Sequence, residues 1–600
     1  MESLKLDSWL STRHGEHKVR SQGARDRRAL TGEAGNASRR QVIVGDAGMN
    51  PIRDECASDA GRSRPNNSRV MRTNFRDMTA EIFREHSDSL VFLCNFMTHY
   101  KEISALITGG LLAFAFAPMC IYPLAIFSPA ILLLLWLNSS AKRAFILGLL
   151  FGIGFYGIGV SWVFISIHEF GHTSLFLASL ITALFIFILA LFTAIQGFLV
   201  NRFFPSSTFI KLYLIFPSSW ALAEWVRSWI FTGFPWLLLG TSQVNTPLSG
   251  YAPILGIVGL TFLVALSASL LLSLFCPLLN KRFDCQFDLK NFYYSGCLLA
   301  LIGIWAIGYL LSFIPWTHIQ GKPIQISLIQ ANIPQEIKWE PEYQKASLIH
   351  YQQLTQSHWD SRLIIWPEAA IPLLQNQAVD FLKQLDKQAK QHTSTLITGI
   401  PIQKDFQYYN GMLALGLDHA TYYKQRLVIF GEYLPWWIIW AHGLLNLLDI
   451  PMSSFSPGPS HQPAFNVANV NLGTFICYEI AYSNLVRQAL KDHAQLLLTI
   501  NDDAWFGHSF ALAQHLQIGQ FQALATGRYL AFLSNTGLTA IVTPKGKIIA
   551  KLPAFETGVL TNSIYKTDGL TPWVYLGDGS IIIFLVGLCI LCYAYRKAHI

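Results

Sequence analysis

Charged side chains are scarce in this chain. Asp, Glu, Lys and Arg make up 13% of its 600 residues, about half the share of an ordinary soluble domain, while apolar residues reach 52%. That balance excludes one soluble globular domain. The net charge of +8 sits largely in the first hundred residues and in short loops, so it forms no nucleic-acid patch. Paired cysteines are also scarce. Of nine cysteines, the sole CxxC pair is Cys589 and Cys592, inside the last apolar run, and no second ligand pair lies nearby. It reads as helix packing, not as a zinc or redox motif. The order of charged, apolar and cleavage segments that marks a secretory leader is missing too. Residues 1–100 are instead polar, Arg-rich and without sustained periodicity, which predicts a mostly disordered extension, with Met71, Met78 and Met97 as alternative starts inside it.

Long apolar runs are plentiful. They predict helices at Ile103–Ala117, Ile121–Leu137, Ala144–Ile167, Ser174–Val200, Phe209–Ser228, Tyr251–Cys276, Phe292–Ile314 and Trp573–Tyr595. Their lengths bracket the roughly 20 residues that cross hydrocarbon, giving about eight spans. Seven fall in a membrane region at 101–316 and one in a closing segment at 571–600. Lys142 and Arg143, Arg202 and Lys211, Lys281, Arg282 and Lys290, and Arg596 and Lys597 occupy alternate loops. The positive-inside rule makes their side the cytoplasm. Residues 317–570, between the seventh and eighth helices, are then on the other side.

That segment has ordinary polarity. Short β-rich runs at Ile324–Gln330, Leu363–Trp366, Thr395–Ile402, Leu472–Cys477, Leu496–Asn501 and Leu530–Thr543 alternate with helical stretches at Asn376–Gln391 and Ala511–Gly527. This alternation predicts a layered α/β domain.

Three patterns in it carry chemistry. In Leu363-Ile-Ile-Trp-Pro-Glu368 a carboxylate follows a buried strand, a setting that raises a pKa and suits a general base. In Tyr422-Tyr-Lys424-Gln-Arg-Leu-Val-Ile-Phe-Gly-Glu432 a Lys in an apolar run is suited to hold a developing oxyanion, and Glu432 to orient it. In Phe475-Ile-Cys477-Tyr-Glu479 the sole cysteine of the segment ends an apolar strand. Taken singly, each has a plainer reading: a strand-capping acid, a surface Lys with a solvated Glu, an inert buried thiol. Glu224 and Arg227, spaced i, i+3 near a span end, read either as a functional intramembrane pair or as a packed structural one, with the second slightly favoured.

The three patterns in this order, 56 and 53 residues apart, resemble the nitrilase superfamily. The resemblance implies an αββα sandwich in which Glu368 is the general base, Lys424 the oxyanion stabiliser, Cys477 the nucleophile and Glu432 a supporting glutamate. Within it, a membrane bundle with one closing helix looks like the apolipoprotein N-acyltransferases. Ala113-Phe-Ala-Phe-Ala-Pro118, Trp220-Ala-Leu-Ala-Glu-Trp-Val-Arg227, Thr232-Gly-Phe-Pro-Trp236, Gln330-Ala-Asn-Ile-Pro-Gln335 with Trp339, Phe430-Gly-Glu-Tyr-Leu-Pro435, Cys477-Tyr-Glu479 and Asp503-Ala-Trp-Phe-Gly507 carry that likeness. It implies support of the site by Trp339, Tyr478 and Glu479. It also implies a phospholipid acyl donor, a diacylglyceryl-cysteine lipoprotein acceptor, no metal or organic cofactor, and residence in a bacterial inner membrane with the catalytic domain in the periplasm. Asp502, Gln522 and Ala525 depart from the family pattern, where Asn, Arg and Glu are more usual.

The run Leu434–Ile450 is too apolar for a soluble loop. A span there would put Cys477 on the opposite side from Glu368 and Lys424. It is therefore expected to be an interfacial arm, with Trp436, Trp437 and Trp440 facing lipid. Two rival readings are a membrane-anchored amidase that hydrolyses a small amide, and a non-catalytic scaffold or transporter with a degenerate domain.

Overall fold

The computed structural model describes residues 99–137, 139–204, 208–283, 291–429, 431–433 and 455–598. The expected N-terminal extension and the expected arm with Trp436, Trp437 and Trp440 lie outside the described residues.

Apolar helices occupy 99–113, Leu124–Leu137, Ala141–Gly159, Leu175–Phe203, Phe216–Arg227, Ala252–Phe283, Asn291–Leu311 and Asp578–Ala598. Five segments are long and apolar enough to cross a membrane: Ala141–Gly159, Leu175–Phe203, Pro247–Phe275, Tyr294–Leu311 and Asp578–Ala598. Leu124–Leu137 is shorter. Ser140 and Ser174 start two of them by accepting the N–H of Arg143 and Leu177. Leu175, Phe176, Leu180, Leu299 and Ile583 are exposed, an apolar outer surface that water would penalise and lipid would not.

Three expected helices are interrupted. The run from 144 to 167 stops at Gly159 and resumes as a short turn at Val163–Ile165. The run from 209 to 228 contains a wide turn, Lys211–Ile215, before Phe216–Arg227. The last run is split at Gly577, whose φ of +72° is left-handed, into Pro572–Leu576 and Asp578–Ala598. Periodicity is blind to such breaks because both sides remain apolar.

Small residues set the helix spacing. A Cβ on Gly154 would lie 2.1 Å from the Leu106 carbonyl oxygen, and one on Gly152 would lie 2.6 Å from the Ala190 Cα. Backbones therefore meet directly along this helix. Basic side chains gather at one end of the bundle. Arg143 pairs with Glu102, Lys211 donates to Asn201, and Arg596 donates to the Phe203 carbonyl.

The segment after the seventh helix forms two six-stranded sheets. The first has the order β12-β1-β2-β3-β4-β5 and the second β11-β10-β9-β8-β7-β6. The strands are β1 His318–Gln330, β2 Leu363–Ile365, β3 Thr395–Lys404, β4 Gln407–Gly416, β5 Ala420–Tyr423, β6 Phe465–Val467, β7 Val470–Ile476, β8 Leu496–Asn501, β9 Leu530–Ser534, β10 Thr539–Val542, β11 Ile548–Leu552 and β12 Gly558–Asp568. In each sheet three strands run parallel, β1–β2–β3 and β7–β8–β9. The expected single strand at 530–543 is two antiparallel strands, because the polar Asn535-Thr536-Gly537 turns the chain between them.

The sheets pack face to face through Ile326, Leu328, Ile365 and Met412 against Leu472, Ile476, Leu498 and Leu533. Helices Pro341–Thr355 and Val379–Gln391 cover the first sheet. Ser483–Lys491 and Ala511–Thr526 cover the second, completing an αββα sandwich. Helix Ala511–Thr526 is buried at every position except Ala513, because its far side meets the bundle. Gln517 accepts the Ala117 N–H at 3.0 Å, and Gln514 donates to the Gly159 carbonyl at 3.2 Å.

The bare helix contact at Gly154 yields a prediction. Gly154→Leu should force the 99–113 helix away and cost about 2–3 kcal/mol. A detergent-solubilised variant that melts at the wild-type temperature would show that this contact does not support the fold.

Candidate active site

Glu368, Lys424, Cys477 and Asp502 all lie just beyond the ends of strands β2, β5, β7 and β8. The side-by-side strands deliver these distant residues to one end of the sandwich. Lys424 is 1% exposed and lies between two carboxylates, 3.0 Å from Glu368 Oε1 and 2.9 Å from Glu432 Oε1. Asn410, on β4, donates to the same two oxygens at 2.7 and 2.9 Å. The other Glu368 oxygen accepts the Asp502 N–H at 2.9 Å. Val428 N–H donates to Glu432 Oε2 at 2.8 Å, so that carboxylate too is held at both oxygens.

Cys477 starts a short helical turn, Cys477–Ala481, with a left-handed φ of +55°. A non-glycine residue in this region costs about 1–3 kcal/mol and persists only where its surroundings impose it. Glu479 supplies much of that constraint. Its buried carboxyl accepts the N–H of Ile476 at 2.8 Å, the N–H groups of Gln425 and Arg426 at 2.6 and 3.0 Å, and the Tyr422 hydroxyl at 2.9 Å. One side chain thus ties the cysteine turn to the strand end that carries Lys424. Burial pushes its pKa up to about 7, against the pull of those backbone donors.

The electrostatics of the trio are unequal. Burial alone would raise Glu368, but the Lys424 charge and the bonds from Lys424 and Asn410 hold it below the usual carboxylate range. Burial opposes the charge on Lys424, yet Glu368 and Glu432 hold its pKa well above the ordinary value. Cys477 is pushed well above the usual thiol range, first by burial and then by the Glu368 charge, with Lys424 acting the other way. The resting arrangement is therefore a thiol beside a carboxylate and an ammonium.

Of the other expected residues, Tyr478 touches the bundle. Its hydroxyl donates to the Gly233 carbonyl at 3.3 Å, and its ring stacks on Trp236 at 6.2 Å. Tyr482 donates to the Thr232 carbonyl at 3.1 Å. These carbonyls belong to a loop in which Phe231, Thr232 and Gly233 all have positive φ. Glu224 and Arg227 hold that loop. Glu224 accepts the Leu239 N–H at 2.9 Å and the Thr261 hydroxyl at 2.9 Å, and Arg227 donates to the carbonyls of Phe234 and Trp236 at 2.8 and 2.7 Å. The pair serves the loop backbone, in keeping with the packed reading. Trp339 is 43% exposed and lines an apolar groove of about 370 Å³ with Pro372, Leu373, Tyr408 and Phe455. Its neighbour Lys338 makes the direct bonds, to the Glu368 carbonyl at 3.0 Å and to Asp502 at 2.5 Å.

Sequence reasoning missed Asn410 and Lys338. A single Asn opening the otherwise apolar run Gly411-Met-Leu-Ala-Leu415 was a usable signal for the first; Lys338 carries none, since a Lys beside Trp339 reads as exposed. Asp502, a departure from the family pattern, is matched by the Lys338 ammonium.

Two sheets in αββα order, with this carboxylate–ammonium–thiol cluster at their strand ends, are the features of a carbon–nitrogen hydrolase fold. Residues 325–568 match the family model of the carbon-nitrogen hydrolases, and residues 108–270 match that of the apolipoprotein N-acyltransferase N-terminal domain. The apolipoprotein N-acyltransferase of Coxiella burnetii is 44% identical over 494 residues, covering 81% of this chain and 99% of that protein. That of Methylococcus capsulatus is 39% identical over 503 residues, covering 83% and 97%. The chain belongs to the apolipoprotein N-acyltransferase family and is an acyltransferase.

The charge arrangement predicts an opposed pair of effects. Removing the Glu368 charge should lower the Cys477 pKa, so in Glu368→Gln the pH profile of iodoacetamide alkylation at Cys477 moves to lower pH. In Lys424→Met it moves to higher pH. Because this thiol lies above the ordinary range, alkylation rates at the Cys477 peptide are compared at each pH from about 7 to 11 by mass spectrometry, and movement in the same direction would contradict this account.

Proposed function

We propose that the protein transfers a fatty acyl chain from a membrane phospholipid to the α-amine of a diacylglyceryl-cysteine lipoprotein, by way of a Cys477 thioester. The observation that carries this reading is the join between the cysteine turn and the bundle. Tyr478 and Tyr482 bond to carbonyls of the Thr232–Gly233 loop, so the thiol's turn lies against the apolar helices. A small soluble amide needs no such join; an acyl chain anchored in lipid does.

In the first half-reaction Glu368 takes the Cys477 proton as sulfur attacks the ester carbonyl. Negative charge passes from the carboxylate to the tetrahedral oxyanion, where Lys424 balances it. Collapse breaks the carbon–oxygen bond, and the proton on Glu368 goes to the departing lysophospholipid oxygen. In the second, the lipoprotein amine attacks the thioester, Glu368 takes the ammonium proton, and the Cys477 thiolate leaves and is reprotonated. A thiol that ionises only with attack suits a slow, guarded acyl-enzyme. Glu432 orients Lys424, and Glu479 and Tyr478 hold the cysteine turn. Trp339 lines an apolar approach, and the composition of Leu434–Ile450, with Trp436, Trp437 and Trp440, suits contact with lipid. No metal or organic cofactor takes part.

The same reading places 101–316 in the membrane as seven helices, with an eighth in 571–600, and 317–570 on the periplasmic face of a bacterial inner membrane. The basic residues gathered at one bundle end support that orientation under the positive-inside rule.

Incubation of the wild-type protein with phospholipid should leave one acyl adduct on the Cys477 peptide, which a lipoprotein amine then discharges. Cys477→Ala should lower transfer by at least about 10⁴-fold while the protein stays in the membrane fraction. Ammonia release from small amides without an acyl adduct would replace this reading with a membrane-anchored amidase. Full transfer by Cys477→Ala would remove the catalytic cysteine altogether.

A further inference from the structure

A histidine that the acyl-transfer cycle does not use lies beneath the nucleophile. His515, on helix Ala511–Thr526, is fully buried. Its Nδ1 is 2.9 Å from Asp503 Oδ1, and its Nε2 is 3.2 Å from the carbonyl oxygen of Cys477. Both neighbours are ordinarily acceptors. The carbonyl can only accept, so Nε2 carries a proton. Nδ1 then faces the Asp503 carboxyl, and one hydrogen bond joins the two groups. Asp503 is also fully buried, and its Oδ2 has no hydrogen-bond partner, so the imidazole is what compensates this carboxyl group. Aromatic rings enclose the imidazole: Phe532 at 5.1 Å, Trp236 at 5.6 Å and Phe506 at 6.3 Å. The Trp236 indole in turn donates to Gln514 at 2.7 Å, one residue before His515.

We propose that His515 is a positioning residue for Cys477: fixed by Asp503 and the three rings, it holds Nε2–H on the Cys477 carbonyl and keeps that residue in its left-handed conformation. Glu479 holds the Phe475–Ile476 peptide, one unit before the cysteine's own, through the Ile476 N–H, and His515 holds the Cys477–Tyr478 peptide. The two bonds grip the turn on both sides of the reactive residue. Trp236 belongs to the loop held by Glu224 and Arg227, so the bundle contributes to that grip. This inference rests on Cys477 being the nucleophile, as proposed above.

Asn and Gln separate the two ring nitrogens. An Asn amide reaches about as far as Nδ1, and a Gln amide about as far as Nε2. The full-length protein in phospholipid nanodiscs would be compared as wild type, His515→Asn and His515→Gln. Two rates are read: iodoacetamide alkylation of Cys477, and formation of its phospholipid-derived acyl adduct at several phospholipid concentrations. His515→Asn should slow both by about 10²-fold, the scale of a misplaced reacting group, with half-saturating phospholipid unchanged. His515→Gln, which keeps a donor at the carbonyl, should stay within about tenfold of wild type. Should His515→Asn fail to fold, Asp503→Leu, which leaves the imidazole in place but unfixed, carries the same expected loss. Wild-type rates in His515→Asn or in Asp503→Leu would overturn the proposal, as would equal losses in His515→Asn and His515→Gln. If the wild type forms no acyl adduct yet alkylation still separates Asn from Gln, the acyl-transfer reading fails and the role of His515 stands.

Discussion

Lys424 is buried between Glu368 and Glu432, and much of the site follows from the charge balance around it. An unpaired ammonium or carboxylate at this depth would cost several kcal/mol, so each of the three depends on the others. Asn410 completes the set by donating to both carboxylates. A second buried pair, Lys338 with Asp502, extends it through the Glu368 carbonyl and the Asp502 N–H. The cluster thus contains three carboxylates against two ammonium groups. That excess of negative charge works with burial to disfavour a resting thiolate on Cys477. The groups that disfavour the thiolate at rest are the ones proposed to activate the thiol during transfer.

The catalytic sandwich is not an independent body resting on a membrane anchor. Helix Ala511–Thr526 is the outer layer of the second sheet and is packed on its other side by the bundle, so one apolar core runs from Phe151 and Trp220 to Phe475 and Phe532. Polar bonds set the register of that contact. Gln514 and Gln517 engage bundle backbone, Trp236 donates to Gln514, and the carbonyls of Gly233 and Thr232 accept from Tyr478 and Tyr482. The bonded groups belong to the cysteine turn and to the helix under it. Movement of the loop held by Glu224 and Arg227 would therefore be felt at Cys477 directly.

Several features were legible in the residues. Apolar runs located the helices, since a lipid-exposed helix needs little beyond length and hydropathy. Alternating strand and helix located the layered domain, and the Pro-Glu, Lys and Cys-Tyr-Glu patterns picked out residues that the fold brings to one end of the sandwich. Gly577 breaks a helix where local composition does not change, since both flanks are apolar, whereas the polar Asn535-Thr536-Gly537 was a turn signal within the β-rich run that went unread.

Order along the chain thus determined which residue types stand at which strand ends, and the small side chains that let helices touch. Only the tertiary structure decided what Lys338, Asn410, Glu479 and His515 do. Each acts on atoms far away in the chain or on backbone groups, and a backbone carbonyl or N–H leaves no trace in sequence. Cys477 shows both parts. Its place after an apolar strand was evident from the residues around it. Its left-handed backbone sits among donors and acceptors brought from β5 and the residues after it, from helix Ala511–Thr526 and from the bundle loop, and no local preference would hold a cysteine there.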